Sequence, residues 1–148
     1  MSPQQTMPQV ELSTVLLRQG DRILTIFNPH WRAFTLPMSK RRSWSVGGEL
    51  MTETWEEAAG RAAAEVMGRT SHPTLLHEIE QVQQSDRAGV WKNYRIRVYE
   101  ILVAPDIPLL NGTIAEWLTP DEILDAKRCP LSITLVTVVG ELKSSGWL

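Results

Sequence analysis

The stretch Glu53–Gly68, ETWEEAAGRAAAEVMG, decides the reading of this chain. It holds no proline and is dense in alanine and glutamate. It ends on a glycine, the residue that closes a last helical turn in the left-handed conformation without a Cβ penalty. Thr54 followed three residues later by Glu57 has the form of a capping box, each side chain satisfying a backbone N–H at the helix start. The pattern predicts a helix over Thr54–Met67. Glu53, Glu57, Arg61 and Glu65 recur every four residues as one polar ridge, while Trp55, Ala58, Ala59, Ala62, Ala63 and Val66 cover the other side. Taken alone, the ridge is a solvated face with i,i+4 ion pairs from Arg61 to Glu57 and Glu65.

The rest of the chain bounds what such a helix belongs to. At 148 residues, 43% apolar and 22% charged, the composition is that of one globular domain with a real core. A formal net charge of −2 gives no general attraction to a nucleic acid polymer or an anionic membrane. The single cysteine, Cys129, excludes an internal disulfide and a thiolate zinc site, and a reducing, cytoplasmic setting is the expectation. The opening MSPQQTMPQ has neither a basic start nor an apolar run, so residues 1–9 read as a loose tail rather than a signal peptide, and 10–148 as one domain. No apolar run reaches membrane-spanning length.

Before the helix, Val10–Arg18 and Asp21–Phe27 are β-rich runs joined by a turn at Gln19-Gly20. Turn residues and then a short apolar piece follow in Asn28–Pro37. Met38–Thr52, with three adjacent bases, two serines and Gly47-Gly48, reads as irregular. After the helix, Thr74–Ser85 and Val90–Ala104 flank the hairpin signal DRAG. In the second run Tyr94, Ile96 and Val98 form a buried face, and Arg95, Arg97 and Tyr99 a wetter one. TIAEWL reads as a short strand, Thr119–Lys127 as a short helix, and the segment from Pro130 as a closing helix with a Leu131, Leu135, Val138, Val139, Leu142 stripe. The order of elements implies an α+β fold, an α/β/α sandwich with a mixed sheet between helices.

Two strands, a Leu-Pro, a basic loop, the helix just quoted and further strands resemble a Nudix hydrolase. That family's box reads G-x5-E-x7-R-E-U-x-E-E-x-G-U, with U apolar. Glu53 stands at its first glutamate, Arg61 at its arginine, Ala63 at the apolar position, Glu65 at the first of the paired glutamates and Gly68 at the later glycine. The box is degenerate: Ala62 and Val66 replace two glutamates, and Arg69 replaces the last apolar residue. Leu36-Pro37-Met38-Ser39-Lys40 is similar to the family's Leu-Pro-Gly-Gly-Lys, which puts the box glycine at Ser39 ahead of a long loop. Gly47, six residues before Glu53, is the alternative.

The resemblance implies hydrolysis of a phosphoanhydride in a nucleoside diphosphate linked to another moiety, assisted by Mg²⁺ or Mn²⁺. Positions 62, 65 and 66 fall within about 100° of one another on the helix, where the family groups three carboxylates. Here Glu65 alone remains. Since Mg²⁺ takes oxygen ligands, one ion at most is expected, weakly held by Glu65 with a bound diphosphate. An acid from outside the box would have to serve as base or extra ligand; Glu116 and Asp106 are better placed than Glu49, Glu56 or Glu57, because the family often recruits from beyond the helix. Glu53 and Arg61 match its structural ion pair, with Gly68 as the cap. Alanine and valine at 62 and 66 favour a drier pocket or a protein contact over a hydrated metal cluster.

Substrate-binding candidates are Lys40, with its neighbours Arg41, Arg42 and Trp44, for phosphate and base; Trp31 as a pocket wall; and Arg95 with Arg97 as a diphosphate clamp, unless they pair with Glu78 and Glu80 across the hairpin. His30, His72 and His77 lack metal-ligand spacing, Trp117 reads as a core anchor, and Cys129 has no activating base. Two functions follow: a weak or atypical hydrolase of a small nucleotide-type substrate, or a catalytically inactive Nudix-like module that binds a ligand or a protein. A homodimer is compatible with both.

Overall fold

The structure, a computed structural model, describes residues 7–69, 71–84, 89–104, 106–125 and 129–148. Its centre is β1 (Gln9–Gln19), which is buried on both faces because its apolar residues do not alternate cleanly with polar ones. β1 pairs antiparallel with β2 (Arg22–Asn28) through a two-residue turn at Gly20-Asp21, Gly20 having φ +60. The turn sits one residue later than the sequence suggests. β3 (Ala33–Thr35) pairs β2, and β4 (Met38–Lys40) returns to pair β1 at Leu12, Ser13 and Thr14.

On its other edge β1 runs parallel to β8 (Trp91–Leu102) over ten residue pairs, from Gln9↔Asn93 to Arg18↔Leu102. β7 (Thr74–Gln84) pairs antiparallel with β8; the DRAG turn between them lies at 86–89, of which 86–88 are outside the described residues. β9 (Ala115–Leu118) pairs β2. Together these make a mixed sheet of seven strands.

Helix α1 (Trp55–Met67) has the foreseen ends. Thr54 and Glu57 form the capping box, and Gly68 at φ +73 closes the last turn through its N–H to Ala64 O. It packs on one sheet face with Val15, Leu17, Leu24, Tyr99 and Ile101. The other face carries α2 (Pro120–Asp125) and α3 (Ile133–Ser144) over Leu12, Leu16, Ile96 and Val98. The buried apolar side chains of β1 therefore face one helical layer or the other, and the sandwich follows.

Four expectations need correction. Met38–Thr52 is not irregular: beyond β4 it forms a hairpin of β5 (Ser43–Val46) and β6 (Glu49–Thr52). Gly47 and Gly48, at φ +57 and +85, are the two left-handed residues that a tight hairpin turn requires. Tyr99 is buried rather than wet, because α1 covers its end of β8. The closing helix begins with Ser132 as N-cap; Pro130 and Leu131 instead extend the sheet against Phe34. Pro8 and Gln9 belong to the domain, which reaches further back than residue 10: Gln9 opens β1 and Pro8 O accepts from Asn93 N.

Candidate functional site

A clamp built on Glu53 fixes the start of α1. Arg61 donates from Nε to Glu53 Oε2 at 3.1 Å and from Nη2 to Oε1 at 3.0 Å, and its Nη2 reaches Lys40 O at 2.8 Å. The Arg42 N–H also donates to Glu53 Oε1, at 3.1 Å. The guanidinium beside it, chiefly through the side-chain hydrogen bond, holds the Glu53 carboxyl below its ordinary range against the opposing effect of burial. Glu53 and Arg61 thus tie the helix to β4 and to the base of the β5–β6 hairpin. Gly47 stands at the tip of that exposed hairpin, whereas Ser39 is buried in β4. Ser39 therefore lies in the sheet ahead of α1, and the β5–β6 hairpin stands between it and the helix.

The side of α1 that the motif marks looks into a cleft. Ala62, Glu65 and Val66 line one end of it with Ile26, Phe27, Pro37, Met38 and Ile114, around a volume of about 380 Å³. A larger volume of about 700 Å³ shares Glu65, Ile26, Phe27 and Met38 and continues along Trp31, Lys40, Lys92 and Tyr94. Trp31 is set there by a local turn: Asn28 Oδ1 accepts from the His30 and Trp31 N–H groups at 2.9 and 3.3 Å, and Arg32 adopts φ +53. Lys40 enters through β4, whose pairing with β1 is set by Ser13 and Thr14.

Carboxylate donors are scarce in this cleft: Glu65 is the one acidic side chain among the described residues that line it. Ala62 and Val66 are 1% and 3% exposed and offer no ligand atom. The Glu65 carboxylate is 3.4 Å from Arg61 Nη1. Among the described residues, no three histidine, cysteine or acidic side chains converge on a point that could hold a metal. A divalent ion needs several oxygens, so the residues present do not fit a protein-held Mg²⁺ or Mn²⁺.

The acids proposed to compensate are placed elsewhere. Glu116 lies on β9 opposite Thr25, whose Oγ1 donates to the Glu116 carbonyl at 2.8 Å, and it is not among the residues lining the cleft. Asp106 is exposed in the loop after β8, and Glu49 sits at the hairpin tip. Glu57 belongs to the capping box, and Glu56 Oε1 accepts from Tyr99 Oη at 3.2 Å.

The two arginines pair across the hairpin, the second of the two outcomes foreseen. Arg95 Nε donates to Glu78 Oε1 at 2.7 Å and lies 3.5 Å from Glu80; Arg97 Nε donates to Glu78 Oε2 at 2.9 Å. The Arg97 guanidinium also stacks on Trp55 at 4.6 Å, with Arg41 over the same ring at 4.9 Å. Neither Arg95 nor Arg97 lines the cleft that holds Glu65. Lys92 does, and the sequence did not single it out; only the register of β8 shows which face it shares.

No family model and no curated protein matches the sequence. Among solved structures, the chain is similar to a MutT protein from Methanosarcina mazei Go1, at 16% identity and TM-score 0.66 over 95% of this chain and 96% of that one. A MutT Nudix hydrolase from Burkholderia pseudomallei matches at 17% identity and TM-score 0.62, over 90% and 98%. The Nudix domain of Shewanella oneidensis NrtR, solved with ADP ribose, matches at 13% identity and TM-score 0.60, over 98% and 93%. With the arginine–glutamate clamp, the capped helix and the sandwich around it in place, this chain has the fold of the Nudix hydrolases.

Proposed function

We propose that this chain is a Nudix-type module that binds a nucleoside diphosphate compound in the cleft between Trp31 and Glu65, with phosphoanhydride hydrolysis disabled. One observation carries the reading: the helical face that would gather carboxylates around a metal presents Ala62, Glu65 and Val66, two of them buried and apolar. Losing a positioned base alone costs about 10²–10⁴ in rate, and here the ligand set is reduced as well. What remains is a concave, mostly apolar site with a few polar groups, the ordinary form of a small-molecule pocket. The class of ligand is supported by the Shewanella domain, which was solved with ADP ribose on the same fold.

A second reading keeps weak hydrolysis, because Glu65 stays at the motif position and opens on the cleft. On that reading Glu65 accepts a proton from the attacking water. The two are separated by incubating the protein with ADP-ribose, sugar nucleotides and nucleoside triphosphates in Mg²⁺ or Mn²⁺, and titrating ADP-ribose against tryptophan emission. Binding is expected as a saturable change in emission, with nucleotide released no faster than in a blank. Multiple turnover that collapses in Glu65→Gln would overturn the binding reading in favour of the hydrolase.

A further inference from the structure

On the binding reading just given, a diphosphate in the cleft brings negative charge that something must neutralise. A divalent ion lacks its protein donors here, and the arginines of β8 are already engaged by Glu78. Two cations in the cleft are not engaged. Lys40 and Lys92 both line it, and among the described residues neither forms an ion pair, in contrast to Arg18, Arg41, Arg61, Arg95, Arg97 and Lys143.

Register puts the two lysines on one face of the sheet. Leu12 of β1 stands opposite Lys40 of β4 and opposite Ile96 of β8. Lys92 precedes Ile96 by four residues, and side chains two or four apart on a strand point the same way. Two strand spacings of about 4.8 Å and four residues of about 3.3 Å separate their Cα atoms by roughly 16 Å. Flexible lysine stems reaching inward shorten that gap to the scale of a diphosphate. Between them lie Val10, Leu12 and Tyr94, a floor against which water is poorly held and a phosphate–ammonium contact is strengthened. Glu65 contributes one negative charge against these two positive ones.

We propose that Lys40 and Lys92 take over the charge neutralisation that a divalent ion would otherwise provide, so that this cleft holds the phosphates of a nucleoside diphosphate compound without metal. Lys92 is then a recognition residue, and the ligand leaves intact because no ion activates the bridging oxygen.

The test is calorimetric titration of the full chain with ADP-ribose, ADP and adenosine, in EDTA and in Mg²⁺. ADP-ribose and ADP are expected to bind more tightly than adenosine, equally in both buffers. Lys40→Ala and Lys92→Ala should each weaken them about 10-fold or more, the scale of a lost charge-assisted contact, and should leave adenosine unchanged. Lys92→Arg should retain most of the affinity. Unaltered melting of the variants would show that the fold is intact. If adenosine binds as well as ADP, or if the diphosphates require Mg²⁺, or if their metal-free affinity ignores both lysine substitutions, the lysine assignment is wrong while the binding reading stands. If neither adenosine nor ADP-ribose binds in either buffer, both fall together.

Discussion

Glu65 is the residue at which the two functional readings predict opposite signs. It opens on a cleft whose remaining charges are the ammonium groups of Lys40 and Lys92. A carboxylate there opposes an anionic ligand when no metal sits between them. Glu65→Gln should therefore tighten metal-free binding of ADP-ribose by about 2–10-fold, the scale of one screened like-charge contact; weaker binding, seen by calorimetry in EDTA, would contradict this. The complementary experiment places acids at the two apolar positions beside Glu65. Ala62→Glu with Val66→Glu places carboxylates where the side chains are almost fully buried. Crowding and unpaired charge should cost about 1–3 kcal/mol without metal, and added Mg²⁺ should recover part of it through binding to the folded state alone. Thermal melts with and without Mg²⁺ read this directly; a melt indifferent to Mg²⁺ would mean that the backbone no longer presents these positions as a metal site.

At the scale of elements, α1 is held by its ends and by Glu53. The Glu53 carboxyl is held below its ordinary value of 4.5 by the hydrogen bond from Arg61. The folded state thus binds that proton less readily than the unfolded state. The stabilisation is present above the ordinary value and is lost as pH falls through it and below. Glu53→Gln should lower stability at pH 7 by about 1–3 kcal/mol, with the gap to the parent closing in acid; parallel denaturation curves at pH 7 and pH 3 would refute this. Gly68→Ala should cost about 1–2 kcal/mol, the expense of the left-handed conformation for a residue with a Cβ. That Cβ would also stand 2.7 Å from Leu110 Cδ2, so the Leu110 side chain must move aside. An unchanged unfolding midpoint would show that the cap is dispensable. The helix was legible in the sequence because its caps are local. The β5–β6 hairpin was not, because both of its faces meet solvent and its one alternating run, Ser43-Trp44-Ser45-Val46, is only four residues long. Gly47-Gly48 carried the rest of the signal. β4 is three residues long and exists through pairing with β1, which no local pattern encodes. In the cleft, the motif pointed to Glu65, which lines it, whereas Lys92 became visible only when the β1–β8 register fixed its face.

For the molecule as a whole, the two cores on either side of the sheet hold the sandwich together, and the β5–β6 hairpin stands outside both of them. Its base is already closed by the Glu53 N–H to Arg42 O bond at 2.8 Å. Replacing residues 43–52 with a two-residue Asn-Gly turn should change global stability by less than about 1 kcal/mol, since an isolated hairpin contributes little in water. A large drop in the denaturation midpoint would reveal that the hairpin supports α1. The ten-pair parallel alignment of β1 with β8 has a different reach. It joins segments more than eighty positions apart, and such distant pairings are slow to assemble. During synthesis, the first strand must wait on one open edge until the eighth has left the ribosome, exposed to mispairing throughout that interval. A nascent chain stopped before residue 91 should stay protease-sensitive, and folding should switch on only once the stretch through Leu102 is free.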